Sequence, residues 1–239
     1  MPAKGEGQGF AQPLTTVDVV IFTVLDGELQ VLLVQRPQGD HEPFPGRWAL
    51  PGGYVDVDKD ANLLACARRK LKDKTGITSP YLEQLGSWGG RERDPRGWSA
   101  THVYFALVPA AHLKPAKGAN AADVSWVKVD DVQGRRGLAF DHSEILDAAV
   151  ERLRSKVEYT SLPAYLLPEP FTLPQLQRTY EIILGRSVDK SGFRTRALAA
   201  EFLEEVGTTE GESNRLAAAY RLRDRERVVV FPRTFSPRG

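Results

Sequence analysis

The first clear pattern is a β-branched run in which Val17, Val19, Val20, Ile21, Phe22 and Val24 predict a strand. Asp26-Gly27 follows as a hairpin turn signal, and Leu29–Gln35 reads as the returning strand. Pro37 to Gly46 is a Pro/Gly-rich loop, and a short strand around Trp48–Leu50 leads into Pro51-Gly52-Gly53. From Asn62 to Lys74 the period becomes helical, with Leu63, Leu64, Ala67 and Leu71 on one side and a stop at Thr75-Gly76. Apolar runs at Leu82–Trp88, Thr101–Val108 and Val124–Val129 predict further strands. Asp141-x-x-Glu144 reads as a capping box opening a helix whose Leu146, Val150, Leu153 and Val157 recur at turn spacing. Strands, helix, strands, helix is the order of an α/β sandwich over residues 14–159.

Residues 160–170 carry three prolines and break the pattern, which predicts a domain linker. Beyond it, Leu173, Leu176, Tyr180, Ile183 and Leu184 predict a helix ending at Gly185. Ser191 to Leu203 predicts a second, with Phe193, Ala197, Ala200 and Leu203 on one face. A loop with Gly207 and Gly211 follows, and then Tyr220–Leu222 and Val228–Phe231 bracket a charged turn as a small hairpin. Residues 171–239 therefore outline a winged helix-turn-helix, and residues 1–13 a flexible arm.

Composition changes this picture in three ways. A length of 239 residues suits two domains. The single Cys66 excludes an intramolecular disulfide and a cysteine zinc cluster, and it fits a reducing cytosol. The longest uninterrupted apolar stretch, Val19–Leu25, is far short of a membrane span, and the N-terminus lacks a signal-peptide core. The expectation is a cytoplasmic protein with no membrane partner. The net charge of +1 excludes a polycation but hides local excess: residues 215–239 hold seven arginines (Arg215, Arg221, Arg223, Arg225, Arg227, Arg233, Arg238) against Asp224 and Glu226.

Gly52-Gly53 followed by Arg69-Lys70-Leu71-Lys72-Asp73-Lys74-Thr75-Gly76-Ile77 resembles the Nudix box. That box uses glutamates on one helix face to hold Mg²⁺, a hard cation that bridges pyrophosphate oxygens and activates water. Here Lys70 and Lys74 stand at two of those glutamates and Asp73 at the one between. The upstream glutamate is also missing: Lys59 or Ala61 falls there, depending on the direction of counting. Exchanging carboxylate for ammonium repels Mg²⁺ but can still hold a pyrophosphate as a point charge. The expectation is an effector pocket without catalytic or metal-ligating residues, built from Arg36, Trp48, Gly52, Gly53, Arg69, Lys70, Lys74, Arg91, Arg93, Asp94 and Arg96. Two readings stay open beside it: the lysines as solvated charges, or a residual metal site at Asp56, Asp58, Asp60 and Asp73. Trp48 and Phe44 are candidates to stack a base, with the core as their other possible place. His102 and His142 are single histidines with no second ligand at metal spacing.

In the C-terminal part, Thr172 is the N-cap of the first helix, where with Gln175 it could clamp a phosphate. Lys190, Ser191, Arg194, Thr195 and Arg196 begin the second helix, where helix-turn-helix proteins place base-reading residues. Arg221, Arg223, Arg225 and Arg227 alternate and would line one face of the wing, suited to phosphates.

Taken together, Ala49-Leu50-Pro51-Gly52-Gly53, Tyr81-Leu82-Glu83-Gln84-Leu85-Gly86, Arg93-Asp94-Pro95-Arg96, Leu138-Ala139-Phe140-Asp141-His142, Phe171-Thr172-Leu173, Tyr180-Glu181-Ile182-Ile183-Leu184-Gly185 and Asp189-Lys190-x-x-Phe193-Arg194 resemble the Nudix-related transcriptional regulators of NAD metabolism, the NrtR family. The resemblance implies a Nudix α/β/α sandwich followed by a winged helix-turn-helix. It also implies a homodimeric repressor in the bacterial cytosol and nucleoid, bound to a double-stranded, palindromic operator. Its effector would be ADP-ribose or a related NAD-derived nucleotide, with no cofactor required. The alternatives are a Mg²⁺-dependent ADP-ribose pyrophosphatase with an accessory domain, and a Nudix-fold module whose C-terminal domain meets protein.

Overall fold

A computed structural model of the chain describes residues 12–76, 81–113, 123–135, 137–210 and 216–232. β1 (Leu14–Leu25) and β2 (Glu28–Gln35) form the expected hairpin. Asp26 and Gly27, with φ of 53° and 74°, close it in the two-residue turn whose twist matches paired strands. β3 (Trp48–Ala49) adds to β2, and β4 (Gly52–Tyr54) adds to β1. α1 (Leu63–Thr75) starts at the Asn62 cap, which accepts the Ala65 N–H, and ends at Gly76. β5 (Tyr81–Gly90), β6 (Ser99–Leu107), β7 (Asp123–Lys128), α2 (Val129–Val132) and α3 (His142–Val157) follow.

The strands make one mixed sheet in the order β3-β2-β1-β6-β5, with β4 on β1 and β7 on β2. β1 and β6 run parallel at its centre. Side chains alternate between the faces of a strand. Val20 and Phe22 therefore meet Ile145, Leu146 and Val150 of α3. Val19 and Ile21 turn the other way, onto Cys66, Ala67 and Leu71 of α1. Burial on both faces explains why β1 reads as a continuous apolar run.

After α3 come a 3-10 helix (Leu162–Leu166), β8 (Phe171–Thr172), α4 (Leu173–Leu184), α5 (Lys190–Ala199), β9 (Leu203–Glu210) and β10 (Leu216–Leu222). The last strands form a small sheet, β8-β10-β9, beside the helix pair. This is a winged helix-turn-helix, but four sequence expectations change in detail.

The second helix ends at Ala199, not Leu203. Ala200 caps it, Glu201 takes a left-handed φ of 53°, and Leu203 begins a strand paired with Leu222. The wing is β9–β10, and Gly207 lies within β9. Val228–Phe231 does not pair with Tyr220–Leu222. It folds back on the junction instead: Phe231 N–H donates to Tyr159 C=O at 2.7 Å, and Ser161 N–H donates to Val229 C=O at 3.0 Å.

The first part of the stretch read as a linker, residues 160–166, is interior, while Pro168 and Pro170 are exposed. Leu162, Ala164 and Tyr165 are wholly buried, because the proline-bearing 3-10 helix turns its apolar side chains into the core. One apolar cluster therefore runs unbroken from Val20 through Leu153 and Tyr165 to Leu176, Phe193 and Phe231. Finally, Asp141 occupies the N-cap position of α3 but makes no side-chain cap bond. Residues 1–11 of the arm, Ile77 of the box, Gly211, and Arg215, Arg233 and Arg238 of the basic segment lie outside the described residues.

Candidate functional site

β1, β4, the end of β2, the C-terminal half of α1, the loop before β6 and the segment leading into α3 surround a cavity of about 660 Å³. Its wall brings together Arg36, Gly52, Gly53, Arg69, Lys70, Lys74, Arg93, Asp94 and Arg96, nine of the eleven residues expected there. Trp48 and Arg91 are the exceptions. Trp48 packs against the large core from β3, and Arg91 stands exposed on its turn.

The Gly-Gly pair is required by close approach. A Cβ on Gly52 would fall 1.8 Å from Asp18 Oδ1, inside contact distance. Gly53 has a φ of 142°, and a Cβ there would lie 2.8 Å from Lys70 Nζ. The Lys70 ammonium thus rests on the glycine backbone at the floor of the cavity. Lys74, half-buried one turn on, is pushed below the ordinary lysine range by burial and then by the Lys70 charge, with Asp73 opposing.

Two of the acids near this helix, Asp60 and Asp56, are committed elsewhere. Arg69 donates from Nε and Nη2 to the two Asp60 oxygens at 2.7 and 2.5 Å, and this fork holds Asp60 well below the ordinary carboxylate range. Asp56 takes Lys59 Nζ at 2.7 Å. Asp73 is mostly exposed and 3.8 Å from Arg69. Among the described residues no three His, Cys, Asp or Glu are arranged to hold a metal ion. With ammonium groups where carboxylates are needed, the donor set does not fit Mg²⁺.

The same cavity is lined by a network that sequence reading missed. Buried Asp18 accepts from Thr101 Oγ1 at 2.7 Å and from Arg93 Nη2 at 3.2 Å. Arg93 Nε donates to Asp141 at 2.8 Å. His142 Nδ1 accepts the Leu50 N–H at 2.9 Å, which leaves the proton on Nε2, 3.5 Å from Asp18. Burial pushes the Asp18 carboxyl up, but His142, Thr101 and Arg93 together pull harder and hold it below its ordinary value. The available signal was a lone carboxylate inside an apolar strand.

Phe140 also lines the cavity, with the Arg36 and Arg93 guanidinium carbons 4.9 and 5.6 Å from its ring centroid. Phe44 meets it edge-on at 4.8 Å. Both phenylalanines hold positive φ, 54° and 57°, a strain that bulky residues carry where surrounding structure imposes it. The pocket therefore has a cationic floor and an aromatic, guanidinium-flanked wall. That combination suits a phosphate joined to a planar or ring-bearing group.

On the winged domain, Lys190, Ser191, Arg194 and Thr195 are exposed along the first turns of α5, and Arg196 is half-buried. Asp189 caps this helix by accepting the Gly192 N–H at 2.9 Å. Thr172 and Gln175 do not form an open phosphate clamp. Gln175 N–H donates to Thr172 Oγ1 at 3.3 Å and Thr172 N–H donates to Gln175 Oε1 at 2.7 Å, so each is used by the other. The arginine stripe is not one face either. Arg221 pairs with Glu204 at 2.8 Å, Arg223 Nε donates to Leu203 C=O at 2.9 Å, and Arg225 lies 3.3 Å from Glu169. Arg227 is exposed. The stripe fails because β10 ends at Leu222, so strand alternation does not extend to the later arginines.

Comparison with known proteins follows the same division. A NUDIX domain model matches residues 14–149, and a model described as the NrtR DNA-binding winged helix domain matches residues 163–222. An ADPR responsive transcriptional repressor NtrR from Acinetobacter baylyi is 44% identical, over 97% of this chain and 90% of the relative. Shewanella oneidensis NrtR complexed with a 27mer DNA superposes with a TM-score of 0.84 at 40% identity, covering 93% of this chain and 99% of that one. The NUDIX domain of Shewanella oneidensis NrtR complexed with ADP ribose matches at 42% identity and a TM-score of 0.55, covering 62% and 94%.

Proposed function

The chain belongs to the NrtR family of Nudix-related regulators, and on that premise we propose that it is a DNA-binding transcriptional repressor of NAD-metabolism genes whose Nudix domain binds ADP-ribose or a related NAD-derived nucleotide. The observation that carries the effector half is the Lys70 ammonium seated on Gly53 at the cavity floor. It supplies fixed positive charge where a hydrolase of this fold would gather a cation, so the pyrophosphate is held without a metal and without an activated water. Arg93 and Arg96 complete the anionic subsite, and Phe140 offers the planar contact.

On the DNA side, α5 carries Lys190, Ser191, Arg194 and Thr195 outward in the position of a recognition helix. Two such helices from a homodimer would enter successive major grooves of a palindromic operator. The protein acts in the cytosol on this reading; among the described residues no helix is long and apolar enough to cross a membrane.

A gel shift on the promoters of its neighbouring genes tests the reading, run with and without ADP-ribose, once in EDTA and once in Mg²⁺. Retarded DNA that ADP-ribose releases in EDTA is the expected result. Release that demands Mg²⁺, or Mg²⁺-dependent formation of AMP from ADP-ribose, would overturn the metal-free pocket in favour of a hydrolase.

A further inference from the structure

The α3 N-terminus holds an unresolved conflict. The sequence places Asp141 and Glu144 at the N-cap and third positions of a capping box. Yet Asp141 makes no cap bond. Its Oδ2 is held by Arg93 Nε at 2.8 Å, while its Oδ1 is buried and finds no hydrogen-bond partner among the described residues. A buried carboxylate oxygen without a partner is costly, and the N–H groups that would satisfy it are those of its own helix. Arg93, which diverts it, lines the effector cavity.

The far end of the same helix is fastened to the winged domain. Arg154 Nε donates to the Ile183 C=O of α4 at 3.1 Å, and its Nη1 donates to Gln133 Oε1 at 3.2 Å. Leu153 and Val157 share the core with Leu176 and Tyr165. α3 thus spans from the pocket to the DNA-binding helices with no flexible segment between.

We propose that Asp141 is a positioning residue that couples the two sites. In the structure described Arg93 holds its carboxylate. When the anionic groups of the effector claim Arg93, the carboxylate turns to the first-turn N–H groups of α3 and closes the capping box, and the re-seated helix shifts the winged domain through Arg154. The inference rests on the regulatory reading above, and its test separates the two.

Coupling between two ligands is reciprocal: operator must weaken ADP-ribose binding by the same factor as ADP-ribose weakens operator binding. That factor is measured by titrating each ligand with and without the other. A merely structural lesion lowers both affinities and leaves the factor alone. Asp141→Asn keeps a good capping group but loses the ion pair with Arg93. It is expected to bind operator more weakly without effector and to reduce the factor about five-fold or more, the scale of ordinary allosteric coupling. Arg154→Gln lies away from both ligands. It is expected to keep the ADP-ribose affinity of the DNA-free protein while reducing the factor.

A wild-type factor of one overturns the regulatory reading itself. A wild-type response with unchanged factors in both variants overturns this proposal alone. Reduction in Asp141→Asn with none in Arg154→Gln overturns α3 as the route. Should Asp141→Asn fail to fold, Arg154→Gln decides.

Discussion

On the proposed reading Lys70 and Lys74 replace a mobile divalent cation by charge fixed to the chain. A bound Mg²⁺ must be gathered by carboxylates and brings water to be activated. An ammonium brings charge and hydrogen-bond donors only. Lys74 also provides a handle. Burial and the Lys70 charge lower its pKa in the free protein, and a phosphate placed beside it would raise that pKa again. Binding then takes up a proton at any pH between the two values. Affinity for ADP-ribose should be full below the lowered value and decline as pH rises through it toward the ordinary lysine range. Titration across that range checks this, and Lys74→Gln should flatten the profile. A flat wild-type profile would remove Lys74 from the phosphate site. Asp18 was the opposite lesson, since its role depends on Arg93, 75 residues away in the chain, and no local pattern announces such a partner.

At the level of elements, α1 and α4 end where their sequence says they should, because caps act within a few residues. Asn62 accepts the Ala65 N–H, and Thr172 with Gln175 forms a reciprocal box. The same closure engages Thr172 and Gln175 with each other, and on the proposed reading α5 is the centre of the DNA interface. Arg194, exposed on α5 and free of structural duty in the core, is the residue to remove. Arg194→Ala should weaken operator binding by about 1–3 kcal/mol and relax sequence preference if it pairs with a base. An equal loss on all sequences with a shallower salt slope would assign it to a phosphate instead. Arg221, Arg223 and Arg225 are weaker candidates because each is already engaged within the wing or its junction.

Over the whole molecule, the consequence of the buried junction is that sensor and reader share one core. Phe231, 4% exposed, packs on Phe202 at 5.6 Å, and its N–H is tied to Tyr159. Heat should therefore unfold both parts in one transition, and Phe231→Ala should lower it by about 3–5 kcal/mol, the usual cost of emptying a buried phenylalanine site. Two separate transitions in calorimetry would show that the halves fold independently after all. Signals of short range could be read along the chain: the strand run of β1, the Asp26-Gly27 turn, the helical period of α1 and α4, and the Gly-Gly, Lys70 and Lys74 of the pocket floor. These depend on neighbours a few residues apart, and the backbone's periods of 2 and 3.6 transcribe them directly. Long-range pairing lay beyond such reading. A proline such as Pro163 marks a linker in one context and a buried 3-10 helix in another, and the apolar surface available to cover its neighbours decides between the two. Likewise a capping box written at Asp141 stays open because Arg93, carried on a distant loop, competes for the same carboxylate. Contacts between distant segments outweigh local preference whenever burial removes the water that would otherwise satisfy either arrangement.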